Sequence, residues 1–256
     1  MSEIGVFDSG IGGVTVLREL CKVLPNEQFY YYSDSQNNPY GDKSENEITK
    51  LADDIVQKLI ERNCKCIVIA CNTASAIATS YLRKKYPNLL IFAIEPAYKM
   101  VWNYAQNGET IIMATKGTVK SERFNMLLNK YNNNKTYVMQ CPGLAELIEN
   151  YDTEKIDAYL KKHLDGFNKV DNIVLGCTHY PLIKNNIEKV LGKKVRFFDG
   201  APSLAIHVKN CLAEYDLLNP ENESQDITFF DSSVNEEVQK KKEKRFFEIL
   251  GKNKWT

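Results

Sequence analysis

The chain reads as an α/β protein: two similar doubly wound parallel-sheet domains related by a pseudo-twofold duplication, with the active site in the cleft between them. Three observations predict this. The run Ile67-Val68-Ile69-Ala70-Cys71-Asn72-Thr73 is answered by Ile173-Val174-Leu175-Gly176-Cys177-Thr178-His179. Both runs are apolar and β-branched, as strands buried on two faces are, and both stop in a cysteine followed by small polar donors. Four strand-to-loop junctions also recur at nearly one offset: Asp8 with Thr115, Asp34 with Cys141, Cys71 with Cys177, and Glu95 with Asp199. Between the apolar runs lie amphipathic stretches of helical period, and this alternation implies parallel sheets with helices on both faces.

Taken in order, Ile4 to Phe7 is a short strand running through Asp8-Ser9 into the glycine-rich turn Gly10-Ile11-Gly12-Gly13. Val14 to Leu24 follows as a helix closed by Pro25, because proline lacks the amide a helix needs. Tyr30 to Ser33 is the second strand, Glu47 to Arg62 a helix, and Ile67 to Ala70 and Ile91 to Ile94 two more strands. The second half repeats the plan with strands at Ile111–Ala114, Tyr137–Gln140, Ile173–Gly176 and Val195–Phe198, and a helix from about Ser121 to Tyr131. A tail without counterpart follows: a helix at Ser203–Tyr215, a strand at Ile227–Phe230 and a helix at Val234–Leu250. It is expected to cross back and complete the first domain, which makes that domain 1–97 plus 205–256 and the second 98–204.

Bulk composition excludes several classes. There are 33 basic and 33 acidic residues, so no net field favours nucleic acid or an anionic membrane as the main partner. No apolar run approaches the ~20 residues that span a bilayer. Seven cysteines, an odd number, without a secretory leader fit a reducing cytoplasm better than a disulfide framework. The Lys240-Lys241-Lys242-Glu243-Lys244-Arg245 run reads as a solvated helix face.

In open parallel sheets ligands bind outside the carboxyl ends of the strands. Asp8, Ser9, Cys71, Thr115, Cys177 and His179 all fall just past such ends, so facing halves would bring them to one cleft. Cys71 and Cys177 stand out because their settings are duplicated. Each is expected at the mouth of a helix, where free amides and the dipole would lower a thiol's pKa. Two opposed thiols can take a proton from one face of a carbon centre and return one to the other. Asp8 could relay protons for Cys71, and Glu149 could approach Cys177, although Glu146 stands one turn earlier. The remaining cysteines, Cys141 among them, read as structural, and Cys64-Lys65-Cys66 is a weak metal signal. The Gly10–Gly13 turn lacks a Walker ending and does not fit GxGxxG. It suits amides closing on a carboxylate instead. Ser9, Asn72, Thr73, Thr118 and Thr178 supply neutral donors for a substrate carboxylate, and the Asn38-Pro39-Tyr40-Gly41 turn could cap the cleft.

These segments together resemble the glutamate racemases of the aspartate/glutamate racemase superfamily. The resemblance runs from about residue 4 to 250 and rests on Gly5-Val6-Phe7-Asp8-Ser9-Gly10-Ile11-Gly12-Gly13, Pro39-Tyr40-Gly41, Ala70-Cys71-Asn72-Thr73-Ala74-Ser75, Ile94-Glu95-Pro96, Gly117-Thr118, Cys141-Pro142 and Leu175-Gly176-Cys177-Thr178-His179-Tyr180-Pro181. It implies that Cys71 and Cys177 are acid/base thiols acting on the D- and L-enantiomer respectively, supported by Asp8, Glu149 and His179. It further implies that Ser9, Tyr40, Gly41, Asn72, Thr73, Thr118, Thr178 and His179 hold glutamate, with Asp8 beside them. No cofactor and no metal is expected. The family's members are cytoplasmic, commonly homodimeric, and supply D-glutamate for peptidoglycan. An aspartate racemase of the same superfamily, or a non-catalytic metal- or partner-binding module, is the alternative reading.

Overall fold

Alternate residues of a strand point to opposite faces, and the two central strands use both faces for burial. In β1 (Ile4–Asp8) Ile4 and Val6 enter one apolar cluster and Phe7 the other. In the central strand of the second half, Thr110–Ala114, Ile111 and Met113 face one cluster and Ile112 the opposite one. Fully burying one such side chain is worth ~1.5–3 kcal/mol, so helices are required on both sides of each sheet.

The computed structural model describes residues 2–131 and 134–251. After β1 come α1 (Val14–Val23), β2 (Gln28–Ser33), α2 (Glu45–Glu61), β3 (Cys66–Ile69), α3 (Asn72–Lys85), β4 (Leu90–Ala93) and α4 (Tyr98–Tyr104). The second half holds β5 (Thr110–Ala114), α5 (Lys116–Lys120), α6 (Glu122–Tyr131), β6 (Thr136–Gln140), α7 (Leu144–Glu149), α8 (Thr153–Leu164), β7 (Asn172–Gly176), α9 (Lys184–Leu191) and β8 (Arg196–Phe198). The chain closes with α10 (Ala201–Glu214), β9 (Asp226–Asp231) and α11 (Glu236–Leu250). Local chemistry sets several of these limits. Ser44 and Glu47 form a reciprocal capping box at the start of α2, and Asn235 caps α11.

One sheet has the order β4-β3-β1-β2-β9 and the other β6-β5-β7-β8, with every pairing parallel. Read from β8, the second sheet runs β8-β7-β5-β6, the same sequence of strands as β4-β3-β1-β2 in the first. The expected fold class, two doubly wound parallel sheets, is the one observed. The tail strand β9 pairs with β2 in register Gln28 to Asp226 through Ser33 to Asp231, and α10 and α11 pack with α1 on one face of the first sheet. Residues 1 and 252–256, which the sequence assigns to the first domain, lie outside the described residues. Among the described residues no helix is long and apolar enough to cross a membrane.

Three local readings are corrected. The helix expected over Ser121–Tyr131 is preceded by a separate turn of helix, α5, capped by Thr115. Behind Cys177 no α-helix begins. The chain bends, makes a short 3-10 turn at Tyr180–Ile183, and only then enters α9. A helix capped by Cys177 would need the amide of residue 181 to bond the Cys177 carbonyl, as Ser75 does to Cys71 in the first half at 2.8 Å. Residue 181 is proline, which has no such amide and crowds that carbonyl. Finally, the basic run of α11 is not uniformly solvated: Lys240, Lys241 and Lys244 are exposed, whereas Lys242 turns inward.

Candidate active site

The carboxyl ends of the two sheets face each other across a cleft. Ser9, Tyr40, Gly41, Cys71, Asn72, Thr73, Cys177, Thr178 and His179 line it, so nine of the sequence candidates meet here. Thr115, Lys116, Cys141 and Glu146 also belong to the wall, although the resemblance gave none of them a role. Cys141 sits at the strand end that matches Asp34 in the first half, so the repeat itself was the signal that could have placed it. Its thiol, pushed up to about 12 chiefly by burial, is a neutral wall group.

On the first-half side, Cys71 caps α3 and accepts the Ala74 amide at 3.5 Å. Its thiol donates to Ser9 Oγ at 3.8 Å. The helix terminus was expected to favour thiolate. Burial and the nearby Asp8 charge outweigh that amide and hold the Cys71 thiol well above the ordinary range. Cys71 is therefore held as a neutral thiol. Asp8 ends β1 beside β3, fully buried, and does not itself reach the cleft wall. Its Oδ2 accepts the Gly13 amide at 2.6 Å and the Thr178 hydroxyl at 3.1 Å, while Oδ1 has no partner. Burial raises its pKa against the pull of His179.

The second-half side is built differently. Cys177 Sγ lies 3.8 Å from His179 Nδ1, and His179 Nε2 lies 2.6 Å from Glu149 Oε2. A carboxylate that accepts Nε2–H leaves Nδ1 free to take a proton from the thiol. Of the two carboxylates considered, Glu149 is the one that meets His179, whereas Glu146 is exposed at the cleft mouth. Burial works against its ionised form, yet the bonds and charges of His179 and Lys242 hold it down at about 2. His179 is raised well above its usual value, because its bonds to Cys177 and Glu149 and their charges overcome the opposing effect of burial.

The glycine turn explains how this side is held. The Ile11 amide donates to both Glu149 oxygens, at 3.3 and 3.2 Å. The turn does close on a carboxylate, but on the protein's own. A methyl group on Gly12 would stand 2.3 Å from His179 Nδ1, so only glycine admits the ring.

Donors for an anionic ligand remain. Both polar atoms of the Asn72 side chain are buried at the cleft wall without a partner among the described residues, which is costly unless a ligand or solvent uses them. Thr73 and Thr115 bridge the halves at 2.9 Å. Thr118 is fully buried and accepts from Thr115 at 3.0 Å, which puts it behind the wall instead of on it. The Tyr40 hydroxyl is already committed to Asp34 at 2.5 Å, so Tyr40 offers shape and backbone. Among the described residues no group of three or more His, Cys, Asp or Glu side chains could hold a metal ion. Cys64 and Cys66 sit in the core of the first sheet.

Comparison with known proteins agrees with this geometry. The Asp/Glu/Hydantoin racemase family profile matches residues 14–208. The glutamate racemase of Clostridium botulinum (strain Alaska E43 / Type E3) is 40% identical over 240 residues, covering 92% of this chain and 93% of the relative. Glutamate racemase from Francisella tularensis, solved in complex with D-glutamate, superposes with a TM-score of 0.81 at 30% identity, covering 96% of this chain and 94% of its own. The Escherichia coli enzyme, solved with L-glutamate and an activator, gives 0.83 at 27% identity over 98% of this chain and 95% of its own. The repeated halves, the two cleft thiols and these likenesses carry one conclusion: the chain belongs to the Asp/Glu/Hydantoin racemase family and is a racemase.

Proposed function

We propose that the chain interconverts L- and D-glutamate by moving a proton at Cα between Cys177 and Cys71, with no cofactor and no metal. The observation that carries this reading is that both thiols line one cleft while their surroundings prepare them for opposite roles. Cys71 is held as a neutral thiol, and Cys177 has the His179–Glu149 pair to take its proton. In one direction His179 Nδ1 accepts the Cys177 proton, and the thiolate takes the Cα proton of L-glutamate. The electron pair left on Cα delocalises into the adjacent carboxylate. The Cys71 thiol then delivers its proton to the other face, and D-glutamate leaves. The reverse reaction exchanges the roles of the two thiols. Each transfer of this kind is worth roughly 10²–10⁴ in rate.

The proposed glutamate contacts are Ser9, Gly41, Asn72, Thr73, Thr178 and His179, with the backbone of Tyr40 and with Thr118 acting through Thr115. Asp8 tunes the Cys71 side. Two family members crystallised with D- and L-glutamate support this choice of substrate. The same reading makes the chain a cytoplasmic homodimer that supplies D-glutamate to peptidoglycan. It divides the chain into 1–97 plus 205–256 and 98–204, a division supported by the pairing of β9 with β2.

The test is L-glutamate in D₂O without added cofactor, followed by circular dichroism and mass spectrometry. Loss of optical rotation with one deuterium at Cα is expected. Faster turnover of aspartate, or racemized glutamate without deuterium at Cα, would overturn the assignment.

A further inference from the structure

Lys242 belongs to α11, in the tail that the second half does not duplicate. Its ammonium donates to Glu149 Oε1 at 2.9 Å and to Ser35 Oγ at 2.7 Å. The side chain is 19% exposed and that of Glu149 only 4%. Glu149 thus has His179 on one oxygen, Lys242 on the other, and the Ile11 amide across both. Other titratable groups near the Glu149–His179 pair include Asp8 and Tyr31 from the first sheet and Cys177 from the loop after β7, and Tyr151, Lys241, Arg245 and Glu248 line the surface pocket that Glu149 shares with Lys242.

We propose that Lys242 is a positioning residue for the Cys177 half of the reaction, fixing the His179 tautomer through Glu149; this inference rests on the two-thiol reading above. The argument is one of charge. When His179 carries the proton taken from Cys177, Glu149 has a cation beside it. Without Lys242, Glu149 would rely on that imidazolium in a dry site, where a carboxylate tends to protonate. The nearest proton is the Nε2–H of the imidazolium. Taking it would leave the ring neutral with its one hydrogen, the proton from Cys177, on Nδ1, so that Cys177, once it has taken the Cα proton, would face a donor and lose its acceptor. The Lys242 Nζ contact at 2.9 Å keeps Glu149 ionised in both charge states of the ring, so Nε2–H and the acceptor at Nδ1 persist through the cycle.

The test compares the full chain with Lys242→Met and Lys242→Arg by imidazole proton–nitrogen NMR and by the pH profile of kcat/KM. His163 and His207, on α8 and α10, serve as internal references. In Lys242→Met the His179 nitrogen signals are expected to move toward the Nδ1–H tautomer. Its kcat/KM should fall about tenfold with a displaced acid limb, and Lys242→Arg should recover most of the loss. His179 signals and a pH profile identical to the parent in Lys242→Met would overturn the inference, even if activity or stability fell. Altered His179 signals in a chain that does not racemize glutamate would support the tautomer lock and sink the assigned reaction instead.

Discussion

The Thr178 hydroxyl, one residue beyond the Cys177 thiol, donates at 3.1 Å to the carboxylate of Asp8, which belongs to the opposite half. The Thr178 carbonyl in turn accepts from Thr15 at 3.0 Å. The loop carrying Cys177 is therefore fastened to the end of β1, the neighbour of the strand that leads to Cys71. Thr178→Val removes the hydroxyl but keeps the shape, leaving Asp8 with one donor in a buried site. An unfolding free energy lower by about 1–3 kcal/mol is expected, with kcat/KM down roughly tenfold, a loss of ~1.4 kcal/mol in transition-state stabilisation. Thr178→Ser should recover both. Urea titration alongside a racemization assay checks this, and a valine variant with parental kcat/KM would remove the clasp from the mechanism.

Cys71→Ser and Cys177→Ser each replace a thiol of the proposed proton-transfer pair by a hydroxyl that neither ionises nor donates readily near neutrality. Each is expected to lower racemization by roughly 10²–10⁴ while leaving the fold intact, since both side chains are small and the exchange is nearly isosteric. Circular dichroism at the amino-acid band measures turnover, and the far-ultraviolet spectrum checks folding. Retained activity in either variant would take that thiol out of the reaction.

Gly12→Ala tests the packing between the glycine turn and the imidazole. The added methyl would meet His179 Nδ1 at 2.3 Å and Cε1 at 2.4 Å, with the ring fixed behind by Glu149. The ring must shift, and it takes the acceptor for Cys177 with it. A kcat reduced by at least tenfold with a nearly constant KM is expected, because a misplaced general base costs more in the transition state than in binding. A rise in KM at unchanged kcat would argue that the turn acts on substrate binding instead.

Much of the fold could be read from residues because the signals were local and repeated. The β-branched runs ending at Cys71 and Cys177 marked buried strands, and one offset shared by four junctions exposed the duplication before any coordinate. The convergence at strand ends followed from topology, and with it most of the cleft wall. The missing pieces depend on contacts between distant segments. Lys242 stands among lysines of identical type, and nothing in its neighbours marks the one that meets Glu149. The Gly10–Gly13 turn signalled a close approach to a carboxylate but not whose. Pro181 did carry a signal: it forbids the helix that the likeness to the Cys71 segment suggested. The thiol's electrostatics could not be read either, because burial of Cys71 is a property of the assembled halves and outweighs the helix terminus its own segment supplies.

The Glu149–His179 pair sets a pH dependence whose sign differs for its two members. Glu149 sits at about 2 in the folded chain, below its ordinary 4.5. The fold favours its ionised form, so its stabilisation is complete above pH 4.5 and is lost as pH falls toward 2. His179 is raised above 6.5, so the fold favours its charged form. That contribution is complete below pH 6.5 and is lost as pH rises through the raised folded value. Both are complete together between pH 4.5 and 6.5, where the pair stabilises the clasped halves most. Glu149→Gln abolishes the carboxylate and removes its share of what raises His179 while the Cys177 share stays, so it should remove the acid limb and make the alkaline one shallower. Urea midpoints taken in steps from pH 3 to pH 9 measure this directly. The parent should lose stability faster than Glu149→Gln on the acid side, and again on the alkaline side as His179 gives up its proton. Parallel curves in parent and variant would mean that the pair is not ionised as described, and that Cys177 must find its proton acceptor elsewhere.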